Sequence, residues 1–270
     1  MKKTHIAAAA IALLLASPPA HASTPATPAT LRVITYNVGH FNQGKLGGYQ
    51  NADAAGALKR WRDWFAGQKA DILLLQEWNA AFDKDGATNA TNALLKPLYR
   101  NIHFGPARSQ KSPWIYNGIA TNLPFTPGGL VELSHPNYYL VLGEVTVAGQ
   151  KITVGSFHVP WQKDNHAEGI RLLVAELKRH KNFIIGGDTN APDATQRAFA
   201  EAGFNIANGA FGKWLPTAAG SVKKGKTTNV SIDQIITSKN IRVESALAPE
   251  TGLNDNDHLP VVATFSIGQP

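Results

Sequence analysis

Short apolar segments that end in polar residues constrain this chain more than any other feature of its sequence. Continuous apolar runs of this length are typical of β-strands that are buried on both faces of a sheet. The runs that we interpret as strands are residues 31–36, 71–75, 151–157, 182–185, 231–237 and 261–267. Strands of this kind need other structure packed against each face of their sheet.

Helical patterns lie between these strand runs. Residues 54–67 and 167–180 carry apolar side chains at the spacing of a helix that buries one face. The short turn at 148–150 joins two further runs, 139–147 and 151–157, and favours an antiparallel hairpin. Helices that alternate with strands, together with a hairpin, predict an α/β (α+β) fold with mixed sheets and helices outside.

The N-terminus has the order of a secretory signal peptide. Two lysines precede an apolar run at residues 6–16, and small residues follow it up to Ala22. The run is shorter than the roughly 20 residues of a membrane-spanning helix, although an uncleaved anchor is the alternative. We expect a secreted or periplasmic bacterial protein with a cleaved signal peptide over residues 1–22, a disordered tail over 23–30 and one domain over 31–270.

Composition bears on stability and on partners. The chain has no cysteine, so an oxidising compartment gives it no disulfide. Its stability must come from a packed core, which a hydrophobic content of 43% can supply. Removal of the signal peptide with its two lysines lowers the formal net charge from +7 to +5, and this modest positive excess suits a polyanionic substrate or an anionic surface.

Polar side chains that can bind metal or transfer protons collect where the apolar runs end. Each alone has a structural explanation, such as a turn residue or a helix cap. Buried apolar strands rarely end in unpaired acids without a use, so the joint pattern predicts a functional site. The residues are Asn37, Glu77, His158, Asp188, Asn190, Asp257 and His258.

Hydrolysis of a phosphodiester needs this set of side chains. A hard divalent cation neutralises the charge that grows on the phosphate, and Glu77 and Asp257 would supply its oxygen ligands. A carboxylate must take a proton from the attacking water or orient that water, and Asp188 suits this role.

Hydrogen-bond donors must then hold the phosphate oxygens. Asn37 and Asn190 can donate without adding negative charge, and His158 and His258 can donate as imidazolium groups. A histidine in that role needs a partner that fixes its tautomer, and Asp233 is the candidate for His258.

Six short motifs identify a family that the chain resembles. They are Thr35-Tyr36-Asn37-Val38, Leu75-Gln76-Glu77, Ser156-Phe157-His158, Gly187-Asp188-Thr189-Asn190, Ile232-Asp233-Gln234-Ile235 and Asn256-Asp257-His258-Leu259-Pro260-Val261. In this order they resemble the endonuclease/exonuclease/phosphatase family, which includes deoxyribonuclease I and the neutral sphingomyelinases. The resemblance covers residues 31–267.

The resemblance implies a four-layer sandwich of two facing mixed β-sheets flanked by helices, with the site at one end of the sheets. It implies Mg²⁺ as the cofactor, with Mn²⁺ or Ca²⁺ as alternatives. The roles that it carries over are metal binding for Glu77 with Asn37 nearby, water positioning for Asp188 and Asn190, and phosphate binding for His258, oriented by Asp233. Asp188 and His258 both remain candidates for the general base.

Two positions depart from these motifs or extend them. Gly39 stands where some family members place an aspartate that helps to hold the metal. Asn117 falls where several members present a polar residue to the substrate. We therefore add Asn117 to the predicted substrate-binding residues, with His158 and Asn190.

Residues 220–227 fit the nucleotide-binding P-loop pattern letter for letter. The P-loop needs a strand before it and a helix after it, whereas here a proline and alanines precede it and a strand run follows. We expect no nucleotide cofactor. Residues 213–226 are instead a basic loop, either solvated or in contact with a polyanion, that contains Lys213, Lys223, Lys224 and Lys226.

We expect a monomer, and three functional hypotheses follow. The leading one is a secreted nuclease that cleaves DNA or RNA with Mg²⁺. The second is a phosphodiesterase or phosphatase that acts on a phospholipid head group or phosphoinositide. Trp114 and Trp161 would stack on a base in the first case or contact lipid in the second. The third is a non-catalytic binding module, which the intact residue set argues against.

Overall fold

The computed structural model describes residues 29–41, 53–83, 85–107, 115–191, 196–219, 228–253 and 256–268. The strands are β1 (Ala29–Asn37), β2 (Ile72–Asn79), β3 (Asn101–Phe104), β4 (Ile115–Thr121), β5 (Phe125–His135), β6 (Tyr138–Val147), β7 (Gln150–His158), β8 (Phe183–Asp188), β9 (Asn205–Ile206), β10 (Ala218–Ala219), β11 (Thr228–Val230), β12 (Asp233–Thr237), β13 (Ile241–Leu247) and β14 (Val261–Ile267). The helices are α1 (Ala54–Gln68), α2 (Lys163–Leu177) and α3 (Arg197–Glu201), with a 3-10 turn at Gly39–Phe41 and a π-helical turn at Thr91–Leu95.

Within these residues the long strands form two six-stranded mixed sheets. The first has the strand order β13-β14-β1-β2-β4-β3, and the second has the order β5-β6-β7-β8-β12-β9. Each sheet contains one parallel pair, β1 with β2 and β7 with β8, and its other pairs are antiparallel. A helix connects the two strands of each parallel pair, α1 in the first sheet and α2 in the second.

Alternation along the strands explains the layers, because successive side chains point to opposite faces of a sheet. In β1, Leu31 and Val33 belong to an apolar cluster that contains residues of both sheets, whereas Ile34 and Tyr36 pack with Trp61 of α1. A third apolar cluster joins the second sheet to α2. Helix, sheet, sheet and helix therefore form four layers, which confirms the predicted sandwich.

Helix α1 shows how local sequence sets an element. The side chain of Asp53 caps its N-terminus by accepting a hydrogen bond from the Gly56 backbone N–H at 3.0 Å. Trp61 and Phe65, four residues apart, are buried under the first sheet. Burying a large apolar side chain contributes roughly 1.5–3 kcal/mol, so this face stabilises the helix more than its cap does.

Several expectations fall beyond the described residues. The predicted signal peptide, the P-loop-like segment 220–227 and Trp114 all lie outside them. Among the residues that are described, no helix combines the length and apolar character needed to cross a membrane.

Candidate active site

The ends of the central strands bring the predicted site residues together. In β1 and β2, Asn37 stands in register with Gln76, one residue before Glu77. In the second sheet Asp188 is in register with both His158 on β7 and Asp233 on β12. His258 lies just before β14, the antiparallel neighbour of β1, so it reaches the same end of the sandwich.

Asp188 is the centre of the hydrogen-bond network at this end. Its side chain is buried, and its Oδ1 accepts a hydrogen bond from the Asn190 backbone N–H at 2.7 Å. Its Oδ2 accepts one from Asn37 Nδ2 at 3.0 Å and lies 3.4 Å from His158 Nε2 and 3.8 Å from His258 Nε2. Residues from both sheets therefore fix one carboxylate.

Burial controls the protonation of Asp188. Burial and the neighbouring Asp233 carboxylate raise its pKa to about 7. His258 and the hydrogen bonds from Asn190 and Asn37 lower the pKa, but they do not offset this rise. A carboxyl group with a pKa in this range can take up or release a proton near neutral pH, which a general acid or base requires.

Asp233 and His258 form a second buried pair. His258 Nδ1 lies 2.9 Å from Asp233 Oδ2 and donates a hydrogen bond to it. Burial disfavours the charged imidazole, but the two carboxylates Asp233 and Asp188 outweigh it and raise the pKa of His258 well above its ordinary value. The bond to Nδ1 leaves Nε2 to present a proton toward the site, as the sequence predicts.

The side chain of Asn190 contacts the ring of His158. Asn190 Nδ2 lies 2.8 Å from the Val159 carbonyl oxygen, which fixes this nitrogen as the donor end of the amide. The same Nδ2 lies 2.8 Å from His158 Nε2, which also lies 3.4 Å from Asp188 Oδ2. Asn190 therefore holds the His158 ring next to Asp188, and the imidazolium role of His158 stays a prediction.

Glu77 lies in an irregularity of β2. The register with β4 shifts between Leu75 and Trp78, and Glu77 has a left-handed backbone with φ of 52°. Its Oε2 is 2.6 Å from His40 Nε2, and its Oε1 is 3.9 Å from His158 Nδ1. The bulge therefore turns this carboxylate toward the site.

Asp257 approaches the same place through the turn after β1. A Cβ atom added to Gly39 would lie 2.6 Å from Asn256 Oδ1 and 3.2 Å from Asp257 Oδ1. This crowding, together with a φ of 52°, explains glycine at position 39. Asp257 and Glu77 thus approach two consecutive residues, Gly39 and His40.

A buried polar network ties the two sheets together beneath these residues. Gln76 Nε2 donates a hydrogen bond to Ser156 Oγ at 2.8 Å, and Gln76 Oε1 accepts one from Thr35 Oγ1 at 3.2 Å. Ser156 Oγ in turn donates to the Leu75 carbonyl oxygen at 2.6 Å. The network fixes the separation and the register of the strands that carry Asn37, Glu77 and His158.

Asn117 and Trp161 occupy different surroundings. Asn117 is buried on β4, its Nδ2 donates to the Tyr139 carbonyl oxygen at 2.9 Å, and its Oδ1 has no hydrogen-bond partner among the described residues. Its substrate contact stays a prediction. Trp161 follows His158 by three residues, and 66% of its surface is exposed.

A hard divalent cation needs oxygen ligands, and two parts of the site carry carboxylates that could supply them. Ligand atoms of Asp188, Asp233 and His258 lie within 4.8 Å of one another, but a protonated His258 has no lone pair for a metal. The carboxylates of Glu77 and Asp257 offer oxygen ligands, and Asn37 Oδ1, which already accepts from the Gly39 N–H at 3.0 Å, keeps a second lone pair.

Two residues of this site were missing from the predicted set. His40 contacts Glu77, and Asn256 donates through Nδ2 to the Asn37 carbonyl oxygen at 2.8 Å and accepts from the His258 N–H at 3.2 Å. Asn256 carried a signal, since it begins the motif that contains Asp257 and His258. The signal for His40 was weaker, namely its position three residues after Asn37.

Solved structures with this fold cover almost the whole described chain. D. rerio TDP2 complexed with single-strand DNA product has a TM-score of 0.67 at 17% identity, over 88% of this chain and 99% of that chain. The mannosyl-6-phosphatase Bt3783 of Bacteroides thetaiotaomicron VPI-5482 has a TM-score of 0.64 at 18% identity, over 87% and 99%. An endonuclease/exonuclease/phosphatase from Beutenbergia cavernae DSM 12333 has a TM-score of 0.66 at 18% identity, over 88% of this chain and 72% of that chain.

The family follows from the sequence itself. A search of curated proteins gave no match. The sequence pattern of the Endonuclease/Exonuclease/phosphatase family, however, matches residues 34–266, which include every residue of the site. Hydrolases of phosphodiesters and phosphate esters share this fold. The chain therefore belongs to the Endonuclease/Exonuclease/phosphatase family.

Proposed function

We propose that the chain is a secreted phosphodiesterase that depends on a divalent metal and cleaves nucleic acid, DNA or RNA. The observation that carries the proposal is the buried array of Asp188, His258 and Asp233 at one end of the sandwich. Amide donors from Asn37 and Asn190 surround that array. A buried carboxyl group, a charged imidazole and amide donors in one site suit the attack of water on a phosphate.

Asp188 is the general base in this proposal. Two hydrogen bonds, one to each carboxylate oxygen, hold it in place before substrate binds, so little ordering remains for the reaction itself. A water molecule between Asp188 and the phosphorus would give its proton to this carboxylate. A pKa near 7 is consistent with that role.

His258 donates to the phosphate. Its Nδ1 is engaged by Asp233 at 2.9 Å, so the ring is oriented and Nε2 presents its proton to a non-bridging oxygen. The charged form, which the two acids favour, neutralises negative charge on the phosphate during attack. Asp233 is therefore a positioning residue for His258.

Glu77 and Asp257 would hold the cation, with Asn37 as a further oxygen ligand. When bound, the cation neutralises charge that develops on the phosphate oxygens. Mg²⁺ suits oxygen ligands, and Mn²⁺ or Ca²⁺ are alternatives. The protein residues orient the water, donate hydrogen bonds to the phosphate and transfer one proton.

Nucleic acid is the preferred substrate on three grounds. Without its predicted signal peptide, the chain carries a formal net charge of +5. Trp161, exposed and three residues from His158, offers a surface on which a base can stack. A protein of the same fold, D. rerio TDP2, has been solved with single-strand DNA product.

A phosphate monoester is the second candidate substrate. The similarly folded Bt3783 is a mannosyl-6-phosphatase, so this fold also accommodates a sugar phosphate. A phospholipid head group is the third, with Trp161 in contact with the lipid surface. Both keep the roles of Asp188 and His258 and change only what surrounds the phosphate.

A substrate panel tests the proposal. Purified protein is incubated with single- and double-stranded DNA, RNA, mannose 6-phosphate, sphingomyelin and phosphoinositide vesicles, each with Mg²⁺, Mn²⁺ or chelator. His258→Ala, which removes the phosphate donor, is the matched inactive control. We expect cleavage of a nucleic acid that chelator abolishes and that His258→Ala lacks.

Other outcomes discriminate between the alternatives. The protein could instead release phosphate from mannose 6-phosphate, or a head group from vesicles, in a metal-dependent reaction while nucleic acid stays intact. That result would change the proposed substrate and leave the proposed hydrolase activity in place. Absence of any chelator-sensitive hydrolysis across the whole panel would refute the proposed enzyme.

A further inference from the structure

His40 and Glu77 are in direct side-chain contact. The Nε2 atom of His40 lies 2.6 Å from Glu77 Oε2. The side chains of His40 and Glu77 are 30% and 19% exposed, so both reach solvent. The imidazole nitrogen and the carboxylate oxygen thus stand side by side at the mouth of the site.

The backbone on both sides of this contact is strained. His40 and Phe41 have φ of 59° and 60°, and Glu77 has φ of 52°, all in the left-handed region that side chains rarely adopt. Residues in such conformations persist where surrounding contacts enforce them, and they cluster at functional sites. The strain marks the pair but does not identify its ligand.

Packing of the next residue enforces the position of His40. The Phe41 side chain is fully buried, with ring centroids 5.1 Å from Trp61 and 4.8 Å from Trp78. The Phe41 N–H also donates to the Val38 carbonyl oxygen at 2.8 Å. A turn anchored in this way holds the imidazole in place before any ligand binds.

The two atoms lie slightly closer together than neighbouring ligands on one metal ion do. Two donors at right angles, each about 2.1 Å from an ion, are about 3 Å apart. The His40 and Glu77 atoms need to separate by only a few tenths of an ångström to reach that spacing. Asp257 Oδ1, beside Gly39, offers a further oxygen ligand on the same turn.

We propose that His40 Nε2 is a ligand of the cation that Glu77 binds, so the cation has one nitrogen ligand among its oxygen ligands. The inference rests on the proposed metal-dependent hydrolase and concerns its cation. Imidazole suits first-row transition metals better than it suits Mg²⁺, whose ligands are oxygen atoms. The site should therefore bind Mn²⁺ more tightly than Mg²⁺.

Pulsed electron paramagnetic resonance of bound Mn²⁺ tests the assignment without substrate or turnover. A directly bound imidazole adds a ¹⁴N modulation to the Mn²⁺ echo. We expect this modulation in the unaltered protein and its loss in His40→Gln. His40→Asp, which restores an oxygen ligand, should bind Mn²⁺ without the modulation, and circular dichroism confirms that each variant is folded.

Two further histidines serve as controls. His180, bonded to Thr153 and Glu176 at 3.1 Å each, lies away from the site, and His180→Gln should keep the modulation. His158→Gln tests the other imidazole near Glu77 and should keep it as well. Calorimetric titration should show at least about a tenfold weaker binding of Mn²⁺ to His40→Gln.

The outcomes separate this inference from the proposed function. Saturable Mn²⁺ binding without ¹⁴N modulation, or modulation that survives in His40→Gln, overturns the role of His40 and leaves the hydrolase standing. Modulation that disappears in His158→Gln instead assigns the nitrogen to His158. If no Mn²⁺ binds at all, both the His40 assignment and the metal-dependent hydrolase fail.

Discussion

Asp188 and Asp233 face each other in register across β8 and β12, and both carboxylates are buried. One imidazole, His258, lies between them, 2.9 Å from Asp233 and 3.8 Å from Asp188. At the scale of single residues the site therefore holds more negative charge than one histidine can balance. A bound cation or a proton on Asp188 would relieve this excess.

This arrangement predicts that Asp188→Asn stabilises the metal-free protein. A carboxyl group whose pKa rises from 3.8 to about 7 on folding favours the folded state only while protonated. Its ionisation therefore costs stability between about pH 4 and pH 7, and the full cost persists above pH 7. In the presence of chelator at pH 8, the unfolding temperature of Asp188→Asn should be about 2–4 °C or more above that of the unaltered protein.

The pH dependence supplies the control for that prediction. At pH 4 the Asp188 carboxyl is protonated in the folded protein and half ionised in the unfolded one, so the two unfolding temperatures should nearly coincide. An advantage of Asp188→Asn that is equal at pH 4 and pH 8 would come from something other than the buried charge. A lower unfolding temperature at pH 8 would contradict the account.

Trp161 gives a prediction about substrate binding. Its side chain is 66% exposed, so its removal should leave the fold intact. Stacking of one base on an aromatic ring contributes about 1–3 kcal/mol, so Trp161→Ala should raise the KM for single-stranded DNA about tenfold with little change in kcat. Phe211→Ala, at another exposed aromatic residue, is the control. An unchanged KM in Trp161→Ala would exclude stacking on this residue.

Residue types and motif order were sufficient to predict the principal site residues, whereas backbone conformation was not. Asp188 stood out because it follows an apolar run, His258 because it lies just before the last one, and Asp233 as the partner that would orient His258. His40, Glu77 and Asn190 adopt left-handed conformations, with φ between 52° and 59°. Tertiary packing enforces these conformations, so no local pattern could have predicted the contact of His40 with Glu77.

At the scale of elements, the parallel pair β7 and β8 presents His158 and Asp188, and close approach of its backbones depends on glycine. A Cβ atom at Gly187 would lie 2.0 Å from the Phe157 carbonyl oxygen. Because that neighbour is backbone, Gly187→Ala must push the two strands apart. We expect a destabilisation of about 3 kcal/mol or more and loss of activity, measured by urea unfolding.

A second glycine provides the matched comparison. Gly67 lies in α1, and a Cβ atom added there meets nothing within 4 Å in the described structure. Gly67→Ala should therefore stabilise the protein by about 0.5–1 kcal/mol, because alanine loses less backbone entropy in a helix. Equal effects of the two substitutions would contradict the strand-contact explanation for Gly187.

Strands with a continuous apolar run were predicted, whereas interrupted strands were not. The last strand, Val261–Ile267, has the predicted bounds, and α1 ends one residue beyond its predicted end. By contrast, β4, β5 and β13 were absent from the prediction. β5 and β13 are edge strands with several exposed residues, and β4, although it is buried inside the first sheet, contains Asn117 and Gly118, so none of the three forms a continuous apolar run.

At the scale of the whole molecule, the site requires both sheets. Asn37, Glu77 and His258 come from the first sheet or its adjoining loop, and His158, Asp188 and Asp233 come from the second. The first sheet closes through β14, which pairs with both β1 and β13. The sequence could not predict this closure, because strand pairing between Ala29 and Ile267 joins residues at opposite ends of the domain.

Closure by β14 predicts that the end of the chain is indispensable. Deletion of residues 261–270 would remove a strand between two others, together with the core residue Phe265, and would expose core residues of the first sheet such as Leu31 and Val33. We expect no cooperative unfolding transition and rapid proteolysis of the shortened chain. A chain that ends at Gly268 is the control and should unfold like the unaltered protein. Cooperative unfolding after the larger deletion would contradict this topology.

The central claim is that these converging residues form one metal-dependent hydrolytic site. Its most direct test is the single-turnover cleavage rate of end-labelled DNA or RNA, whichever the panel selects, with saturating Mn²⁺. We predict that Asp188→Asn, folded and still able to bind Mn²⁺, cleaves about 10²–10⁴-fold more slowly than the unaltered protein. Cleavage by Asp188→Asn at the unaltered rate, or cleavage by either protein that persists in chelator, would contradict the account.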